Sequence, residues 1–241
     1  MSRRTLLSAA VAVLALAVSA AWALGWFRPH NPVVAPQPGP PVLGRMISLP
    51  GGTFRMGNDH TNFADQRPAR EVRLPAFRID QHEVTNAQFA AFAAQTGYVT
   101  TAERRGWSYV FDRAAQEWIE CAGADWRHPG GVDTSLDARD QYPVAHVSWH
   151  DATAYARWAG KQLPTEAQWE YAARAGLRDA DYPWGHDERI DGRYQANYRQ
   201  HGQPADADGF DGPAPVGSYA ANRFGLHDLS GNVWEWCGDW Y

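Results

Sequence analysis

The sequence predicts a mixed fold in which short helices and short strands are set among long loops. Three observations carry this. Helix starts show complete capping signals, the strand-like runs are only a few residues long, and residues 180–221 show almost no periodicity. A content of 22 Gly and 16 Pro fits the same loop-rich picture.

The helices are announced by their ends. Thr85-Asn86-Ala87-Gln88 has the Thr-x-x-Gln form of a capping box, with Phe89 and Phe92 on one face and Gly97 as the stop. Ser148 precedes a second helix whose narrow face is Ala152, Tyr155, Ala156 and Ala159, ahead of Gly160. Thr165 caps a third, with Trp169, Ala172 and Ala173 inward, Glu166 near the positive end of the helix dipole and Gly176 at the close. Met46 to Leu49 and Phe54 to Met56 flank Pro50-Gly51-Gly52, which predicts a turn between two strands. Val72 to Asp80 alternates around Pro75 and predicts another strand. In the aperiodic stretch, Asp206, Asp208 and Asp211 crowd a Gly-rich loop; an irregular segment of this length calls for an organising ion, although Asp and Gly also favour solvated turns.

A hydrophobic content of 44% with 20% charged residues describes a globular chain, and 241 residues suffice to bury a core. The net charge of −5, with no basic run beyond the first residues, argues against nucleic acid as a partner. Arg3 and Arg4 precede an uncharged stretch, 5–27, so residues 1–27 predict a signal peptide or a signal anchor. The start also resembles a twin-arginine signal. Either way the remainder is expected outside the cytoplasm, released or held at the inner membrane through 5–27. Residues 28–42 read as a Pro-rich linker, and 43–241 as the folded domain. Cys121 and Cys237 fit no zinc or CxxC spacing, and an exported protein leaves their pairing open. The final ten residues hold four large aromatics and no polar tail, which leads us to expect a domain cut through its core. A natural end at Tyr241 would instead leave exposed apolar surface or require a second chain to cover it.

Six stretches then form a pattern: GGTFRMG (51–57), FRIDQHEVTNAQFAAFAAQTGYVTTAE (77–103), ADWRHPGG (124–131), YPVAHVSWHDATAYARWAGKQLPTEAQWEYAARAG (142–176), YPWG (182–185) and FGLHDLSGNVWEWCGDWY (224–241). In this order they resemble the formylglycine-generating enzyme, or sulfatase-modifying factor, family across nearly all of 45–241. ADWRHPGG with GWSYVF (106–111) favours the formylglycine-generating branch. The resemblance implies an α+β fold related to C-type lectins, with little regular secondary structure. It also implies an oxidase that uses molecular oxygen to convert the cysteine of a Cys-x-Pro-x-Arg segment in an unfolded sulfatase to formylglycine.

Family chemistry rests on copper(I) held by two cysteines four residues apart, after a Gly-Gly-Ser turn. Cys121 lies far upstream of that segment and Cys237 adjoins GNVWEW with no partner at the right spacing, so no catalytic residue is assigned and the chain as it stands is expected to lack the redox centre. The resemblance further implies two calcium sites. The first would use the side chains of Asn197 and Asp208 with the carbonyls of Tyr198 and Phe210. The second would use the side chains of Asp228 and Glu235 with the carbonyls of Gly231 and Val233. Trp234 matches a residue lining the substrate pocket, although a core role fits it equally.

Other residues read more plainly. His128, His146 and His150 lack the spacing and third ligand of a zinc site. Glu166 and Glu170 share a helix face but suffice as capping and packing residues, and the Ser148 hydroxyl is engaged as an N-cap. Three functions compete: the formylglycine-generating oxidase, a non-catalytic lectin-like binding module of the cell envelope, and an iron-dependent sulfur-transfer oxidase like those of ergothioneine synthesis. The last needs a histidine cluster that the sequence lacks.

Overall fold

A computed structural model describes residues 43–61, 63–198 and 206–240. The expected export segment 1–27 and linker 28–42 lie outside these. Among the described residues no helix is long and apolar enough to cross a membrane.

Four strands come first: β1 (Met46–Leu49), β2 (Gly52–Met56), β3 (Arg70–Leu74) and β4 (Phe77–Asp80). The turn at Pro50-Gly51-Gly52 exists, but the strands it joins do not pair. β1 pairs antiparallel with β4, Leu49 opposite Phe77, and β2 with β3, Gly52 opposite Leu74. Gly51 (φ +71°) and Gly52 (φ +133°) turn the chain from one sheet into the other. Gly51 presses so closely on Pro75 that an added Cβ would meet that backbone at 2.4 Å. The single strand expected over 72–80 is therefore two, broken by Pro75-Ala76, where the missing Pro N–H interrupts the ladder.

The helices follow their caps. α1 (Asn86–Thr96) has the full Thr85–Gln88 box and ends at Gly97 in the left-handed region. A short helix, α2 (Thr101–Arg105), carries its own Thr100–Glu103 box and leads into a hairpin of β5 (Trp107–Asp112) and β6 (Glu117–Ala122). α3 (Trp149–Trp158) starts at a Ser148–Asp151 box and α4 (Glu166–Arg174) at a Thr165–Gln168 box. Inside the aperiodic stretch, the only strands among the described residues are β7 (Arg189–Ile190) and β8 (Arg193–Tyr194).

Two cores result. Phe89, Phe92 and Ala93 of α1 cluster with Tyr155 of α3 and Ala159 at its end, and Trp126 packs edge-to-face on Phe89. Leu49, Tyr171, Ala172 and Leu226 form the second, joining the β1–β4 sheet to α4. Glu170 is structural, accepting from the Gly57 N–H at 2.8 Å and from Arg174 at 2.7 Å.

Asp151 ties the first core together. It is fully buried, and its carboxylate accepts from the Tyr98 hydroxyl (3.0 Å), the Thr101 N–H (3.0 Å) and the Ser148 N–H (2.8 Å). One side chain thus caps α3 and fixes the end of α1 and the start of α2. Asp151→Ala strands these donors without water, and each unpaired buried group costs about 1–3 kcal/mol. We expect a loss of about 3 kcal/mol or more in urea unfolding, and less for Asp151→Asn, which keeps one acceptor oxygen. A loss below about 1 kcal/mol for the Ala variant would contradict this central role.

Candidate functional site

β4, the start of α1, α3 and the 227–236 loop enclose a groove of about 320 Å³, lined by Phe77, Ile79, Val84, Tyr155, Leu163 and Val233. Trp234, placed in the substrate pocket by sequence, stands at this groove with 98% of its surface exposed. It is no core residue. Trp236, which also lines the groove, is 48% exposed, and Trp240 is 94% exposed. The neighbouring Lys161 ammonium donates to both oxygens of Asp80, at 2.6 and 2.8 Å, so that wall is neutralised.

Its acidic wall is different. Glu83, at 8% exposure, sits just before the α1 cap, close to Asp228 and Glu235. Its Oε1 accepts from the Asn232 amide at 3.0 Å, while Oε2 is buried with no partner. Burial, reinforced by the charges of Asp228 and Glu235, pushes Glu83 up to about 9. Glu235 is pushed up to about 7 by the protein packed around its carboxyl and by Asp228, with the nearby Trp169 indole N–H offsetting part of the rise. As a residue Glu235 keeps accessible surface, whereas Glu83 is buried.

Sequence reasoning missed Glu83. Its one signal is a carboxylate between His82 and Val84, where the chain turns inward to start α1. Of the expected second-site residues, Asp228 and Glu235 are brought together with it. The Asp228 carboxylate also accepts from the Gly217 N–H at 2.6 Å. Gly231, at φ +91°, packs so tightly on Asn197 that a Cβ would meet its carbonyl oxygen at 2.2 Å. Val233 lies half-buried two residues on.

The first expected set also converges. Asp208 accepts from the N–H of Tyr198 (2.8 Å) and of Phe210 (3.2 Å), and the Tyr219 hydroxyl donates to its carbonyl at 2.9 Å. Asn197 donates to the Gly212 carbonyl at 2.8 Å. Asp211 is instead engaged by Arg113 at the tip of the β5–β6 hairpin. Among the described residues no three His, Cys, Asp or Glu side chains converge closely enough to hold an ion by themselves. An ion at either place therefore depends on backbone carbonyls as well as acids.

The remaining polar residues are structural. His146 bridges the Ser108 hydroxyl and the Pro129 carbonyl, both at 2.9 Å, and burial lowers its pKa. His128 lies against Asp125. Both cysteines are free thiols; burial pushes Cys237 up to about 11, far from a reactive thiolate at neutral pH.

The carboxylate cluster sets a pH response. Because Glu83 and Glu235 titrate above their ordinary value of 4.5, the folded state is favoured when both are protonated. That advantage is whole below about pH 4 and is lost as the pH rises, through about 7 for Glu235 and about 9 for Glu83. In chelator, Glu83→Gln should raise the melting temperature at pH 8 by several degrees and change little at pH 5. Equal effects at the two pH values would refute the placement of this charge.

Residues 31–241 match the family described as "Sulfatase-modifying factor enzyme 1-like domain". Over 216 residues the chain is 48% identical to the formylglycine-generating enzyme of Thermomonospora curvata, covering 81% of this chain and 71% of that one. It is 41% identical over 220 residues to a Bos taurus protein named inactive C-alpha-formylglycine-generating enzyme 2, covering 81% of this chain and 71% of that one. The solved structure of PvdO from Pseudomonas aeruginosa superposes with a TM-score of 0.61 at 28% identity, over 82% of this chain and 72% of that one. With its mixed α+β architecture and modest regular secondary structure, the chain has the formylglycine-generating-enzyme fold and belongs to the sulfatase-modifying factor family.

Proposed function

We propose that this chain is the polypeptide-binding, cation-stabilised framework of an exported formylglycine-generating oxidase. Its partner is an unfolded sulfatase segment of the form Cys-x-Pro-x-Arg. The observation that carries this reading is Trp234. An indole left 98% exposed at the rim of an apolar groove is poor for a monomer's surface and well suited to gripping an extended chain.

Formylglycine formation replaces the Cβ–S bond of the substrate cysteine with a carbonyl, and oxygen is the family's oxidant. Copper held by two thiolates would supply the redox chemistry, but residues 1–241 contain no cysteine pair at the required spacing. No catalytic step is therefore assigned to them. What these residues do is hold the polypeptide at Trp234 and keep the 227–236 loop in place.

Calcium is the cofactor we assign to that loop. Glu83, with its orphaned Oε2, joins Asp228, Glu235 and the carbonyls of Gly231 and Val233 as an oxygen-rich set whose charges would favour a cation. Asn197, Asp208 and the carbonyls of Tyr198 and Phe210 form the other. The existence of relatives named inactive favours a second reading, a non-catalytic binding module of the cell envelope.

One assay addresses both. A labelled Cys-x-Pro-x-Arg peptide should bind the chain, and Trp234→Ala should weaken binding about ten-fold, as at an anchoring aromatic, without lowering the melting temperature. Unchanged affinity would remove Trp234 from the site. Mass spectrometry of the incubated peptide should show an intact cysteine; its conversion would overturn the absence of a catalytic residue.

A further inference from the structure

The two loops assigned to calcium are joined through one side chain that neither ligand set includes. Asn232 lies between Gly231 and Val233, whose carbonyls would serve the second ion. Its backbone N–H donates to the Asn197 carbonyl at 2.7 Å. Its Oδ1 accepts from Asn197 Nδ2 at 3.0 Å and from the Ala214 N–H at 2.8 Å. Its Nδ2 donates to Glu83 Oε1 at 3.0 Å and to the Ala214 carbonyl at 3.3 Å. One amide therefore touches a side-chain ligand of the first set and an acidic ligand of the second. Asn232 itself has φ +61°, a left-handed conformation that asparagine tolerates better than most residues.

We propose that Asn232 is a positioning residue that couples the two calcium loops, so that an ion in one raises affinity at the other. This rests on the calcium reading above. Ordering the first loop fixes Asn197, which holds Asn232 by two hydrogen bonds. A fixed Asn232 sets the plane of the peptide units on either side, and hence the direction of the Gly231 and Val233 carbonyls. It also holds Glu83 by Oε1, so that Oε2 is the oxygen that would be offered to an ion. The close packing of Gly231 on Asn197 leaves no slack between the loops. Coupling of this kind is reciprocal and commonly amounts to five-fold or more.

Calcium titration calorimetry on the full 241-residue chain tests the idea, with Glu83→Gln marking which binding event belongs to the second loop. In the wild type, Asp208→Asn should weaken the second event about five-fold or more, although Asp208 is no ligand there. Asn232→Gly accepts the positive φ while deleting the side chain, and should reduce that cross-effect to less than about two-fold. Asn232→Asp keeps the acceptor oxygens but loses the donor to Glu83, and carries the test if the glycine variant does not fold. Two events that ignore each other in the wild type, or a cross-effect unchanged in both Asn232 variants, overturn the coupling and leave the calcium reading standing. No calcium uptake by the wild type removes both.

Discussion

Backbone hydrogen bonding is the constraint on which this molecule turns. With so little helix and sheet, long stretches of chain have no ladder to occupy their N–H and C=O groups, and leaving those groups buried and unpaired is costly. Short polar side chains take the ladder's place. Asn222 shows the pattern: its amide donates to the carbonyls of Ala172 and Ala173 at the end of α4, and its oxygen accepts from the N–H of Phe224 and Leu226. Asp151 does this at the starts of α2 and α3, Asp208 for the N–H groups of residues 198 and 210, and Asn232 for 197 and 214. The apolar cores then form around segments whose shape these side chains have already set.

The same constraint explains what could be read in advance. The capping boxes at Thr85, Ser148 and Thr165 were legible because donor and acceptor lie three residues apart in the sequence, and the structure shows each one complete. The box at Thr100 obeys the same rule but opens a helix too short to show a hydrophobic face. Strand pairing was not legible. The turn at Gly51-Gly52 resembles a hairpin locally, yet β1 pairs with β4, and the turn is packed against Pro75. Pro75 itself was visible, yet its effect as a break between two sheets depends on partners far away in sequence.

The site divides along the same line. Asp208, Asp228 and Glu235 were singled out by resemblance, and the structure brings them to two neighbouring loops. Glu83 was invisible because it lies some 145 residues from Asp228, and only folding removes it from water. Its unusual electrostatics arise from what surrounds it, and no local motif encodes that. The linkage through Asn232 is hidden for the same reason: in the sequence Gly-Asn-Val is an ordinary turn, and its five hydrogen bonds appear only in three dimensions.

The nearly bare indole of Trp234 gives the groove a chemical identity that buried Trp126, at 3% exposure, does not share. A mild indole-selective oxidant reaches side chains in order of their accessibility. The rim of the groove is thus among the first parts of the protein such a reagent marks, and whatever lies across it acts as a shield. Footprinting by mass can therefore follow occupancy of the groove in a mixture, with no label on the occupant and no need to know its name.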